Sequence, residues 1–204
     1  MDTTLGLRER KKAETRLAVH RAALRLTVEH GLDAVTVEAI ADAANISRRT
    51  FSNYFAGKED AVLYGEEQRY RLLIERVRAQ PPELPRWEAL RAAVADLWKE
   101  MGEPDREWAV RTRLAKRHPS LLARQLANQT AMERQLADAL AERPGCGPSA
   151  RVRPRVMAAA FISALRLSMH IWIEEEERRT LREVMDDMFE QMALPFAACP
   201  PDAS

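Results

Sequence analysis

The chain has 204 residues, enough for one large domain or two small ones. A hydrophobic share of 46% is that of a folded globular protein, and 31% charged residues in a background rich in Ala and Leu favours helix. A formal net charge of only +1 excludes a polybasic coat for nucleic acid, so any positive surface must be local.

Apolar residues recur at three- and four-residue spacing nearly throughout, and strand alternation is scarce, which predicts an all-α fold. The first helix is expected from about Leu7 to His30, with Leu17, Leu24 and Val28 on one face and Gly31 ending it. Its start carries a local basic run: Arg8, Arg10, Lys11, Lys12, Arg16, Arg21 and Arg25 against Asp2, Glu9 and Glu14. Thr36 then opens a short helix with Val37, Ile40, Ala41 and Ala44 inward, and Ser47 opens the next, with Phe51, Tyr54 and Phe55 along it. Both hydroxyls suit an N-cap, where they accept a bond from an unpaired N–H of the first turn. Gly57 breaks the run, and Lys58 begins a long connecting helix to about Gln80.

The stretch QPPELP, Gln80 to Pro85, cannot sit inside a regular helix. Beyond it helices are expected at Arg86–Met101, Arg106–Arg117, Ser120–Arg143, Pro154–Glu177 and Leu181–Met192, ahead of a frayed tail from Pro195. The domain division expected is 1–57 for the head and 58–204 for the rest, with 58–80 connecting them. Cys146 and Cys199 fit neither a disulfide framework nor a zinc knuckle, and His20, His30, His118 and His170 fall on different helices or their ends, so no metal site and no cofactor are expected. No GxSxG, P-loop or dinucleotide glycine motif is present, which argues against an all-helical enzyme and leaves no catalytic residue to nominate. Nothing resembles a signal peptide, and no apolar run reaches the ~18 residues of a membrane span, so a cytoplasmic protein with no membrane partner is expected.

The chemistry-bearing stretch is TVEAIADAANISRRTFSNYFAGKEDA, Thr36 to Ala61. Two short helices joined by a tight turn, with a third across them, make a helix-turn-helix, whose second helix presents its N-terminal half to base edges in the major groove. Phe51 and Phe55 are four apart and share a face that can bury against Ile40 and Leu24. Arg48 with Ser52, and Arg49 with Asn53, are also four apart and project away from that stripe. An Arg can hold guanine O6 and N7 with two bonds, and an Asn can do the same for adenine N6 and N7. Thr50, Tyr54 and Lys58 suit phosphate oxygens, Thr36 and Ser47 at the helix starts are further candidates for DNA contact, and the basic arm Arg8, Arg10, Lys11 and Lys12 can reach phosphates or a minor groove. A helical hairpin with a polar outer face would share the same pattern.

These residues resemble the DNA-binding signature of the TetR family of transcriptional repressors. The matches are Thr36, Val37, Ile40, Ala41, Ala44, Ile46, Ser47, Thr50, Phe51, Tyr54, Phe55, Lys58 and Glu59. Two positions depart from the family pattern. Asn45 stands for the usual turn Gly and tolerates a left-handed conformation. Ser52 stands for an aromatic that commonly touches DNA, which suggests a distinct operator. The resemblance implies a homodimer reading a palindromic double-stranded operator, with the C-terminal helices forming a dimer interface and a ligand pocket. The stretch HPSLLARQLANQTAMERQLADALAERPG, followed by an Ala-rich helix with Trp172, is similar to the C-terminal domain of a TetR branch that includes mycofactocin-type regulators, some relatives of which respond to fatty acyl-CoA.

On that footing the effector is expected to be apolar or amphipathic, acyl-CoA or another hydrophobic compound. Trp98, Met101, Trp108, Leu114, Met132, Phe161, Met169 and Trp172 are candidates to line its pocket. Core packing explains any one of them as well. Ala160, Ala164, Leu165, Met185, Met188 and Phe189 are candidates for a four-helix dimer seam, although packing within one chain yields the same pattern. A DNA-binding activator, or a constitutive repressor with no effector, fits the same head.

Overall fold

The computed structural model describes residues 3–102, 105–144, 152–175 and 179–193; inside its helices, nothing is assigned to the side chains of residues 3–6, 107, 108 and 111. The described residues form α1 (Thr3–His30), α2 (Val37–Ala43), α3 (Arg48–Ser52), α4 (Lys58–Ala79), α5 (Arg86–Met101), α6 (Arg106–Ala115), α7 (Pro119–Ala141), α8 (Arg153–Glu174) and α9 (Leu181–Ala193), with no strand among them. The all-α expectation holds, and Gly31, Gly57 and Gly102 stand at helix boundaries; residues 103, 104 and 145–148 of the expected breaks, and the expected tail from Pro195, lie outside the described residues. Two compact units partition the chain: residues 1–69 with 107–128, and residues 70–106 with 129–204.

In the first unit α1, α2 and α3 close over a core of Val19, Ala23, Ile40, Phe51, Phe55, Val62 and their neighbours. The α1 face that packs is Val19, Ala22, Ala23 and Thr27, whereas Leu17, expected to face inward, is 40% exposed. Small residues win this face because helices meet closely here. Nδ1 of His20 donates to the Ala61 carbonyl at 2.9 Å, and its ring rests on Gly65 of α4, where a Cβ would overlap Nε2. Gly31, at φ +77°, ends α1 in the left-handed region that glycine enters freely.

The segment from α6 into α7 docks on this unit through Leu121, buried in the same core, and through polar bonds. Glu66 accepts from Lys116 at 2.7 Å and Gln125 at 2.9 Å, while Arg124 meets Asp60 at 2.7 Å. Burial pushes the Glu66 carboxyl up, but Lys116 and the two hydrogen bonds outweigh it and hold the group below the ordinary value.

The second unit is built on aromatic packing. Trp87 of α5 meets Phe161 of α8 edge to face at 5.7 Å, and Phe161 stacks on Phe189 of α9 at 4.9 Å. Thr180 and Glu183 form a reciprocal capping box at the start of α9: the Glu183 N–H donates to Thr180 Oγ1 at 3.2 Å, and the Thr180 N–H to Glu183 Oε2 at 2.7 Å. Arg143, buried beyond the end of α7, donates to the carbonyls of Val77, Gln80, Pro81 and Leu84. It thereby closes the end of α4 and the proline-rich turn, whose carbonyls have no helical partner. Arg86 returns the favour to α7, donating to Leu140 O and Arg143 O, each at 2.7 Å.

The structure departs from the sequence expectation at α8. This helix is long and apolar enough to cross a membrane by length and composition, with a mean hydropathy of 1.6 over eighteen residues. Arg166 interrupts its run of apolar residues, which disguises the length of the apolar stretch in the sequence. Ala158, Phe161, Ile162, Ala164 and Trp172 are packed inside the chain.

Candidate nucleic-acid interface

The geometry of the head follows from its caps. Thr36 Oγ1 accepts from the Ala39 N–H at 3.1 Å and starts α2. Ser47 Oγ accepts from the Thr50 N–H at 3.1 Å and starts α3, and it shares a second bond of 2.8 Å with the Thr50 hydroxyl. Between the helices Asn45 sits at φ +53°, the left-handed conformation its short polar side chain tolerates. The turn is closed by Asn45 N–H to Asp42 O at 3.0 Å and Ile46 N–H to Ala41 O at 2.9 Å. Regular helix ends at Ser52, sooner than expected, with Asn53 as C-cap, but Phe55 N–H still bonds Phe51 O at 3.0 Å, so the turn carries Phe55 inward.

Phe51 and Phe55 are buried, their ring centroids 5.6 Å apart. With that face sealed, Arg48, Arg49, Ser52 and Asn53 are exposed on the other. Arg48 Nε lies 3.1 Å from Glu38 Oε1 of α2, a partner that spacing along the chain does not reveal. Tyr54 is half-buried, with the Arg16 guanidinium 5.2 Å from its ring centroid. That cation–π contact sets the face of α1 that borders the end of α3. Lys12 and Arg8 lie one and two turns back along it. A basic residue every fourth position from Arg8 was the signal that could have nominated Arg16.

Several nominated residues have other duties. The Lys58 ammonium is not free for a phosphate: it donates to Leu32 O at 2.8 Å and Val35 O at 3.0 Å, pinning the turn between α1 and α2. Thr36 and Ser47 spend their hydroxyls on caps. Arg8, Arg10, Lys11 and Lys12 lie within α1 rather than on an arm ahead of it, with Arg10 bonded to Glu14 at 3.2 Å and Lys12 to Glu9 at 2.6 Å. These pairs are exposed, so they hold the cations weakly.

The residues nominated for a pocket scatter. Met132, Phe161 and Trp172 are buried in the second unit, Met169 is half-buried, and Met101 is 51% exposed. Leu114, in the first unit, is 59% exposed; Trp108 lies on α6, and its side chain is outside the described residues. Trp98 borders a half-open groove of about 360 Å³ between α5 and α9, whose walls include Val94, Met185 and Phe189 together with Arg91 and Arg182. Among the seam residues, Ala164, Met185 and Phe189 are buried against the second unit's own core. Ala160, Leu165 and Met188 are half-exposed.

Comparison with known proteins meets this geometry from both ends of the chain. A family model for bacterial regulatory proteins of the tetR family matches residues 20–63, the helix-turn-helix and its flanks. A model for the MftR C-terminal domain matches residues 84–197. The HTH-type transcriptional regulator TcmR of Streptomyces glaucescens is 30% identical over 173 residues, covering 82% of this chain and 76% of that protein. The chain belongs to the TetR family. It is therefore a DNA-binding transcriptional regulator of the helix-turn-helix type, and the family and its relatives are regulators rather than enzymes. Its TetR fold extends over most of the chain. FadR of Thermus thermophilus, in complex with lauroyl-CoA, aligns over 93% of this chain and 98% of its own with a TM-score of 0.51 at 22% identity. FadR of Bacillus subtilis, in complex with stearoyl-CoA, aligns over 86% and 96% with a TM-score of 0.54 at 19% identity.

Proposed function

We propose that this TetR-family regulator is a repressor that binds a palindromic operator as a homodimer and is released by a small apolar or amphipathic effector. The observation that carries the reading is the outward face of α3, where Arg48, Arg49, Ser52 and Asn53 stand clear of a helix anchored by Phe51 and Phe55. Arg48 and Arg49 suit guanine, Asn53 suits adenine, and Ser52 accepts either role. Thr50, Tyr54 and the α1 cations Arg8, Arg10, Lys11 and Lys12 serve phosphates, positioning the helix without reading sequence. The functional division is residues 1–57 for reading and 58–204 for sensing and pairing, and a protein that works on operator DNA resides in the cytoplasm.

A dimer is supported by what α8 leaves uncovered. Val152, Val156 and Leu167 are 67%, 51% and 41% exposed, and with half-exposed Ala160 and the small Ser163 they form one largely apolar stripe at three- and four-residue spacing. Half-exposed Met188 of α9 and Leu165 of α8 extend the candidate seam. A stripe of this kind is self-complementary across a two-fold axis, and two heads reading a palindrome stand one helical turn of DNA apart, ~34 Å.

The effector reading rests on the acyl-CoA complexes of the FadR proteins that share this fold, and on the groove beside Trp98. Its apolar walls with a few charged side chains, Arg91 and Arg182 among them, have the makeup of a small-molecule site. An effector releases DNA only if it binds the non-reading state more tightly than the reading one. The test is fluorescence anisotropy on duplex DNA from the region upstream of the protein's own gene, with a panel of acyl-CoAs and planar hydrophobic compounds added. Two protomers per duplex and loss of the complex with one compound class support the reading. A complex that survives every compound makes the protein a constitutive regulator, and raised transcription on binding makes it an activator.

A further inference from the structure

Arg48 and Glu38 each stand in the first turn of their helix, Glu38 two residues past the Thr36 cap of α2 and Arg48 directly after the Ser47 cap of α3. Both caps and the closed turn at Asn45 fix the two backbones relative to each other, so the 3.1 Å contact between Arg48 Nε and Glu38 Oε1 joins two rigid mounts. Both side chains remain well exposed, at 73% and 55%. An ion pair this open contributes little to folding. Its effect is on direction.

We propose that Glu38 is a positioning residue for sequence readout: its carboxylate, paired with the Arg48 guanidinium on the Nε side, aims that guanidinium end-on into the major groove. This rests on the base-reading role given to Arg48 above. An arginine has five N–H donors in a rigid fork. With the carboxylate beside Nε, Nη1 and Nη2 point away from it as the pair that matches guanine O6 and N7. The carboxylate also repels phosphate, which turns Arg48 from the backbone, where it would add affinity without information, to the base edge, where it discriminates. Preorganisation matters because a long side chain otherwise gives up rotamer freedom on binding. Glu38 needs no DNA contact of its own to set specificity at one base pair.

The experiment measures affinities of the full-length protein for an operator panel carrying all four base pairs at each position. The proteins are the parent, Glu38→Ala, Glu38→Gln, Arg48→Ala and the Glu38→Ala/Arg48→Ala double variant, each checked for an unchanged melting transition. Arg48→Ala should remove discrimination at one base pair by about 5–150-fold, the range of a bidentate contact. Glu38→Ala should weaken discrimination at that same base pair at least about threefold, a gap typical of coupled side chains. Affinity for mismatched operators should rise, because a negative charge has left the DNA-facing surface. Glu38→Gln, which keeps the side-chain length but not the charge of the ion pair, should behave like Glu38→Ala. In the Arg48→Ala background Glu38→Ala should change no base preference.

Two results overturn the proposal. One is a Glu38→Ala protein that shifts every operator by the same factor, which makes Glu38 a mere charge near DNA. The other is a Glu38→Gln protein as selective as the parent, which removes the ion pair from the account. If instead Arg48→Ala itself leaves every base preference intact, the base-reading role of Arg48 is what fails, and Glu38 has nothing to aim.

Discussion

Replacing Gly65 by Ala sets two opposed effects against each other, and the structure decides the sign. In the interior of α4 the substitution should help, since Gly is worse than Ala in a helix by about 1 kcal/mol. But a Cβ at Gly65 overlaps Nε2 of His20 and stands 2.8 Å from Cε1 and 3.0 Å from Cδ2. The imidazole cannot slide aside cheaply, because Nδ1 is tied to the Ala61 carbonyl at 2.9 Å and the ring packs edge-on against Tyr64 at 6.2 Å. Forcing an extra methyl into such a contact costs about 1–3 kcal/mol, and losing the bond to Ala61 adds about 1 kcal/mol. The expected net is a destabilisation of about 1–3 kcal/mol, read as a lower urea midpoint at unchanged slope. Removing the obstacle should reverse the sign: against a His20→Ala background, Gly65→Ala should stabilise by about 1 kcal/mol. A stabilised Gly65→Ala protein with His20 intact would refute the close approach of α1 and α4.

Burial pushes the His20 imidazole down, the bond to Ala61 opposes this, and the charges of Arg69, Lys116 and Arg21 add to the fall. The folded value thus lies below the unfolded value of about 6.5, so the stabilisation from neutral His20 is present above that pH and is lost as the pH drops below it; a His20→Gln protein whose stability is just as steep there contradicts the assignment. Lys58→Met strands the carbonyl of Val35, leaves that of Leu32 with the Val35 N–H alone, and should cost about 1–2 kcal/mol of stability, while leaving the salt dependence of DNA binding unchanged. A salt slope reduced by about one unit would return Lys58 to the phosphate contacts. Arg143→Leu removes a buried donor from four carbonyls and should cost about 3 kcal/mol in a thermal or urea melt; a loss under about 1 kcal/mol would show that water replaces those bonds without penalty.

The head was legible in the sequence because its determinants are local. A hydroxyl at Thr36 and Ser47, a residue that accepts the left-handed turn at Asn45, and an aromatic pair at Phe51 and Phe55 each act within a few positions. What escaped depends on partners distant along the chain. Lys58 reads as a free cation until the carbonyls at residues 32 and 35 are brought beneath it. Arg143 sits at a Pro- and Gly-rich break and looks solvated, yet it is buried against four carbonyls. Periodicity revealed that Ala164, Met185 and Phe189 pack, but carried no information on whether the neighbour belongs to the same chain. Trp87 and Phe161 within the chain supply that neighbour for Phe189. Leu17 misled for a related reason: close helix contact at His20 and Gly65 favours the small face of α1 over its larger side chains.

The central claim is that the outward face of α3 reads bases while α1 holds the backbone. The most direct measurement pairs a base-by-base operator scan with a salt titration for the parent, Arg49→Ala, Asn53→Ala and the Lys11→Ala/Lys12→Ala double variant. The account predicts that Arg49→Ala and Asn53→Ala each relax preference at a separate base pair by about 1–3 kcal/mol. The lysine variant should weaken every operator alike, with a salt slope lower by about one unit for each phosphate that a lysine no longer neutralises. The claim is contradicted if Arg49→Ala and Asn53→Ala lower affinity uniformly and only the lysine variant changes which sequence is preferred.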